Sequence, residues 1–138
     1  MAIQQGATDA FKTGLMNGGY NFTSGSFKMA LYTGSATLGP STAVYTSSNE
    51  VVATGYNAGG IALPVSVAPT SSNNITYISF SNVTWYGSIT ARGALIYQSG
   101  GSNPTVCVLD FGSDKTSITS LTVQFPTADS ANAIIRIT

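Results

Sequence analysis

Apolar and polar positions alternate with a period of two along much of this chain, and the alternation breaks at clusters of Gly, Pro, Asn and Ser. The best-defined stretch is 89–112. Within it, Gly93-Ala94-Leu95-Ile96-Tyr97 and Val106-Cys107-Val108-Leu109-Asp110-Phe111 carry apolar side chains in both phases of the repeat, the mark of strands covered on both faces. The connection, 98–104, holds Gly100 and Gly101, which accept positive φ, and Pro104, which has no N–H for a ladder. The pattern predicts a hairpin of two central strands whose second member ends at a corner over 112–115.

Elsewhere the signals are shorter. Thr8 or Asp9 as N-cap, an apolar face of Phe11, Leu15 and Met16, and the stop Asn17-Gly18-Gly19 predict a short helix in an N-terminal arm, 1–19. So short a helix is marginal alone and needs a surface to lie on. Phe27, Met29 and Leu31 share one face of a predicted strand over 27–33. The region 34–60 reads as a long exposed loop with at most one short strand, at 43–45, and Glu50 is its only charge. Further strands are expected over 61–67, 75–80 and 83–86, the last running through a Gly87-Ser88 kink into the hairpin, and over 118–125 and 133–137. Met29, Leu31, Ile78, Phe80, Leu95, Tyr97, Leu109, Phe111, Val123, Phe125 and Ile135 are the expected core. Together these elements predict an all-β chain: one domain over 1–138, an antiparallel two-sheet β-sandwich of jelly-roll type with a short N-terminal helix.

Composition narrows the chemistry. Charged residues are 7% of the chain, five of each sign, so no basic face exists to neutralise phosphates and direct nucleic-acid binding is not expected. Zero net charge favours self-association. Without histidine there is no proton shuttle near neutral pH and no Ser-His or Cys-His nucleophile. Cys107, the only cysteine, lies among apolar neighbours and reads as a buried core residue. The first six residues lack the flank and apolar run of a secretory signal, and no stretch is long enough to span a bilayer, so neither export nor a membrane partner is expected.

Several short motifs dissolve in context. Asp110-Phe111-Gly112 spells a kinase magnesium triplet, but the phosphate-covering loop and its lysine strand are missing. Asp110 and Asp114 could share a calcium ion, yet two carboxylates without spaced oxygen ligands do not make a calcium loop, and no metal or cofactor is assigned. Gly55-Tyr56-Asn57-Ala58-Gly59-Gly60 lacks the spacing of a phosphate loop and reads as a turn. Trp85 and Tyr86, near Tyr77 and Phe80, could form a stacking platform, although aromatics on period-two strands more often face the core. Arg92, mid-strand, needs an ion-pair partner or an edge. Asp9, Glu50, Asp110, Asp114 and Asp129 are too scattered to suggest paired acid–base carboxylates, so catalysis is not expected. The Asn-x-Ser/Thr sites at Asn21, Asn74 and Asn82 carry no weight without export.

Phe11-Lys12 to Leu15, Gly18 to Phe22 and Phe27-Lys28-Met29-Ala30-Leu31-Tyr32 form a series of blocks that continues through most of the chain. Tyr45-Thr46 with Asn49-Glu50-Val51, the 55–60 turn, 91–97, 108–112 and 125–137 belong to it. This series resembles a family of small virion structural proteins encoded by tailed bacteriophages. The resemblance implies a structural role. Analogy with small β-sandwich proteins of phage heads points to a cement or decoration protein, made in the host cytoplasm and seated on the outer surface of the capsid. Its partners would be the major capsid protein and other copies of itself, as a dimer or trimer. The alternative it leaves open is a tail or fibre module that contacts a host glycan. Phe11, Leu15, Met16 and Tyr56, on the helix and the long loop, are the expected interface residues.

Overall fold

The computed structural model describes residues 2–138; Met1, the first residue of the expected arm, lies outside them. Ten antiparallel strands and one helix follow in the order β1 (Gly6–Ala7), α1 (Asp9–Asn17), β2 (Phe27–Tyr32), β3 (Ile61–Ala62), β4 (Val65–Ser72), β5 (Ile75–Phe80), β6 (Val83–Tyr86), β7 (Thr90–Gln98), β8 (Thr105–Thr116), β9 (Ser120–Val123) and β10 (Ile135–Ile137). They form three sheets, ordered β1-β8-β7-β2-β3, β10-β5-β4 and β6-β9.

The predicted hairpin is the centre of the largest sheet. β7 pairs with β8 on one side and β2 on the other, with Met29 opposite Ile96 and Leu31 opposite Ala94. Both faces are buried, as the double-phase apolar pattern requires. Met29, Leu31, Ala94, Ile96 and Cys107 join one cluster with Ile78, Phe80, Val83, Trp85 and Val123 from the smaller sheets. Ala30, Tyr32, Leu95, Tyr97 and Val108 form a second cluster on the other face. Of the expected core, Leu109, Phe111, Phe125 and Ile135 are only partly buried.

That second face corrects the reading of 34–60 as an exposed loop. Ala36 and Leu38 close over it, and Val51 and Tyr56 are buried in the first cluster. An apolar sheet face must be covered, and this segment is the cover. Short backbone pairings hold it in place: Tyr32 bridges Glu50, Val44 bridges Pro104, and the Val51 N–H donates to the Leu31 carbonyl at 2.9 Å.

Three boundaries also differ from expectation. The strand expected at 61–67 splits at Leu63-Pro64 into β3, which pairs with β2, and β4, which pairs with β5. β4 runs on to Ser72 despite Pro69, because it is an edge strand with two register shifts, and it turns back through Asn73 and Asn74, both at positive φ (54° and 62°). β8 does not end at Gly112. Gly112 takes φ +83°, its N–H donates to the Asp110 side chain, and pairing with β7 resumes at Lys115 and Thr116. Nor does β6 run on into β7 in one sheet: at Gly87-Ser88 the chain leaves the β6-β9 sheet and enters the large one. A Cβ on Gly87 would lie 2.3 Å from the Thr54 carbonyl oxygen, so this crossing depends on glycine.

Candidate functional site

Two places combine chemistry-bearing groups with defined geometry: a sealed cluster around Glu50, and an open groove beside α1.

Glu50 is the one buried charged side chain among the described residues, 7% exposed. Three donors converge on it. The Tyr45 hydroxyl donates to Oε1 at 2.5 Å, while the Tyr56 hydroxyl and the Gly59 N–H donate to Oε2 at 2.5 and 2.7 Å. Tyr56 in turn accepts the Leu31 N–H at 2.9 Å, tying the cluster to β2. The Tyr97 hydroxyl donates to the Gly59 carbonyl at 2.5 Å, and its ring lies 4.9 Å from that of Tyr45. Nearby, the Tyr32 hydroxyl donates to the Thr46 carbonyl. Burial pushes Tyr32, Tyr45 and Tyr56 well above the usual phenol range, and the adjacent Glu50 carboxylate pushes further in the same direction. Phenols held in the neutral form act here as hydrogen-bond donors. The cluster therefore clamps the long connection onto the sheet.

Gly60 supports the clamp. Its φ is +87°, and a Cβ there would fall 1.8 Å from the Met29 carbonyl oxygen, so the 55–60 turn lies directly on β2. The glycine-rich stretch is a turn, and its one acidic contact is internal.

The helix is fixed by a second polar network. Thr8, fully buried, N-caps α1 by accepting the Phe11 N–H at 3.2 Å, and Gly18 closes the helix in a left-handed conformation. The Thr105 hydroxyl lies 2.9 Å from that of Thr8 and reaches the Thr42 carbonyl, and the Tyr20 hydroxyl donates to the Thr105 carbonyl at 2.6 Å. One threonine thus both starts the helix and fastens it to β8.

The four residues expected at an interface divide. Phe11 (3% exposed) packs edge-on against Tyr20 and Phe22, and Tyr56 (7%) sits in the Glu50 cluster, so both side chains are almost closed to solvent, although Phe11 lines the groove described below. The reason for Phe11 is local: Gly14, on the same face of α1, lets the Tyr20 ring lie against the helix, where a Cβ would be 2.2 Å from it. Leu15 and Met16 point outward, Met16 at 93% exposure.

The other candidates resolve individually. Arg92 pairs with Asp110 at 3.2 Å. The Gly112 N–H, and after it Arg92, holds the Asp110 carboxyl below the usual carboxylate range. Among the described residues no three His, Cys, Asp or Glu side chains converge on a metal-sized site. Cys107 is buried in β8, where burial pushes its thiol up to about 12. Trp85 is core and Tyr86, its neighbour in β6, is 75% exposed. Among the described residues no helix is long and apolar enough to cross a membrane.

The groove, about 330 Å³, lies between α1, β8 and β10. Leu15 and Ile137, two of the exposed large apolar residues, line it together with Lys12 and Arg136. Sequence reading placed Leu15 at a contact surface but missed Ile137 and Arg136, because a terminal strand three residues long gives no sign of which neighbour it will face. Compared with family models, curated proteins and solved structures, the chain matches none.

Proposed function

We propose that this chain is a structural protein of a tailed-phage particle, specifically a cement protein on the head that bridges neighbouring major capsid subunits as a dimer or trimer. The block-by-block resemblance of the sequence motivates the reading. One observation carries it physically: large apolar side chains stand in solvent on a surface with very little charge. Met16, Val52, Tyr86 and Ile118 are 75–97% exposed. Such a surface gains free energy when covered, and a lattice multiplies a modest gain per site over many copies.

The architecture we infer is a two-layer sandwich of jelly-roll type, with the five-stranded sheet as one layer and the two smaller sheets as the other. Its support is the shared apolar cluster, which draws inward-facing residues from all three sheets.

A second reading, a tail or fibre module holding a host glycan, is favoured by the exposed Tyr86 ring, since sugars stack on solvent-facing aromatics. Counting copies in purified particles by quantitative mass spectrometry and cryo-electron microscopy separates the two. Hundreds of copies following the capsid lattice support the cement role. Copies in threes or sixes at one vertex support the tail reading, and absence from particles overturns both.

A further inference from the structure

The outermost strands of two sheets line the same groove. β1 is the outermost strand of the five-stranded sheet and β10 the outermost strand of its own, with all its ladder pairing directed to β5. Gly6, Ala7 and Ile135 to Ile137 line it together with Cys107 to Leu109, the β8 residues beside β1. A strand edge carries N–H and C=O groups spaced to accept another strand. Among the other edges, β4 is poorly suited to this because it carries Pro69 and two register shifts, and the unpaired edges of β6 and β9 lie away from the groove's two cations. The groove also has a sign. Lys12 and Arg136 are its charged lining, both exposed, and no carboxylate side chain lines it. Three acids stand on or beside the elements that line it: Asp9 in the first turn of α1, Asp110 after Leu109, which pairs with Arg92, and Asp129, whose lowered carboxyl feels Arg136, although its hydrogen bonds go to Asn132 and the Ala131 N–H.

We propose that this groove seats an extended segment of a neighbouring protein, added as a strand to the free edge of β10. The segment carries apolar side chains at alternate positions, packed on Leu15, Leu109 and Ile137, and a carboxylate placed against Lys12 or Arg136. Identifying that neighbour as a shell subunit rests on the function proposed above; the groove's preference for an acidic, alternating strand does not.

The test uses the full chain, isotope-labelled, and an acetylated, amidated octapeptide of alternating valine and threonine that ends in two aspartates. Two further peptides serve as controls: a twin ending in two lysines, and a version N-methylated at alternate amides. The expected result is saturable amide shifts confined to Gly6, Ala7 and Ile135 to Ile137, with slowed hydrogen exchange there. The aspartate peptide should bind at least threefold more tightly than its lysine twin at low salt, and the N-methylated version not at all. The doubly substituted Lys12→Glu, Arg136→Glu chain, checked for native circular dichroism, should reverse the preference. No saturable shift at millimolar aspartate peptide, equal affinity for the twins, or shifts along β4 instead would overturn the proposal. So would protection of the groove by the concentrated chain alone, which would make a second copy the occupant. None of these outcomes depends on finding the protein in particles.

Discussion

Removing the Glu50 carboxylate should cost more than any other single polar change in this chain. Glu50→Ala deletes three hydrogen bonds and leaves the Gly59 N–H and the Tyr45 and Tyr56 hydroxyls in a site almost closed to water. Hydrogen bonds to charged groups contribute about 1.5–3 kcal/mol each, and an orphaned buried donor costs about 1–3 kcal/mol. These figures do not add, since the tyrosines can turn and water can enter a site 7% exposed, so a total of about 3–5 kcal/mol is expected. Glu50→Gln is the discriminating variant. Its amide oxygen can stay at the Oε2 position, keeping Tyr56 and Gly59, while its NH2 group faces the Tyr45 hydroxyl, which can rotate to accept. The loss then falls to about 1–2 kcal/mol, and Tyr45→Phe should cost about 1 kcal/mol. Urea unfolding at pH 7, followed by tryptophan fluorescence and far-UV circular dichroism, gives all three values. Hydrogen exchange should show the loosening concentrated in residues 44–60. If Glu50→Ala fell within about 0.5 kcal/mol of the parent, the level of an ordinary surface change, or if Glu50→Gln cost as much as Glu50→Ala, the clamp would be refuted.

Other consequences can be checked with the same assays. Because the fold raises Tyr32, Tyr45 and Tyr56 above their unfolded values, it favours their neutral form; this stability is complete below about pH 10, the unfolded phenol value, and is lost as pH rises toward the folded values. Part of the tyrosinate absorbance should therefore appear only together with loss of near-UV circular dichroism; reversible titration of all seven tyrosines near pH 10 with the fold intact would contradict this. Thr8→Ala should cost about 1–2 kcal/mol, the upper range for a lost N-cap, whereas Thr8→Ser, which keeps the hydroxyl, should cost much less, as read from urea midpoints. Gly60→Ala places a methyl group 1.8 Å from the Met29 carbonyl oxygen at positive φ and should cost more than about 2 kcal/mol, lowering the thermal midpoint by several degrees.

Much of this architecture was legible because period and punctuation agreed. The β7–β8 hairpin, α1 with its Thr8 cap and Gly18 stop, and β2 all follow local rules, and the double-phase apolar runs correctly indicated a sheet buried on both faces. What was not legible is what depends on a partner distant in sequence. Ala36, Leu38, Val51 and Tyr56 have no shared period, so nothing local marks the first two as the lid of the second core face or the last two as part of the first. Glu50 stood as a lone charge in a long polar stretch; its signal was the combination of that solitude with tyrosines on both sides. Phe11 and Leu15, one turn apart, pointed to a single helical face, and only the approach of Tyr20 to Gly14 decides that Phe11 is buried while Leu15 is left at the groove. The extension of β8 past Gly112 was hidden because a glycine that ends a strand and a glycine that bulges one look alike in sequence.

The uneven treatment of the sheet margins has a bearing on how such a chain behaves at high concentration. With five positive and five negative residues, copies do not repel one another, so nothing electrostatic prevents unlimited stacking. Shape has to do it instead. One margin is the ring of Pro69 and a crooked ladder; another is only two residues wide at Gly6–Ala7. Fibre growth needs a long, straight ledge that repeats itself, and the unpaired edges other than β4, those of β1, β3, β6, β9 and β10 among the described residues, are two to four residues long. Straightening β4, for example by Pro69→Val with no added charge, should raise the tendency of the chain to associate edge to edge on standing.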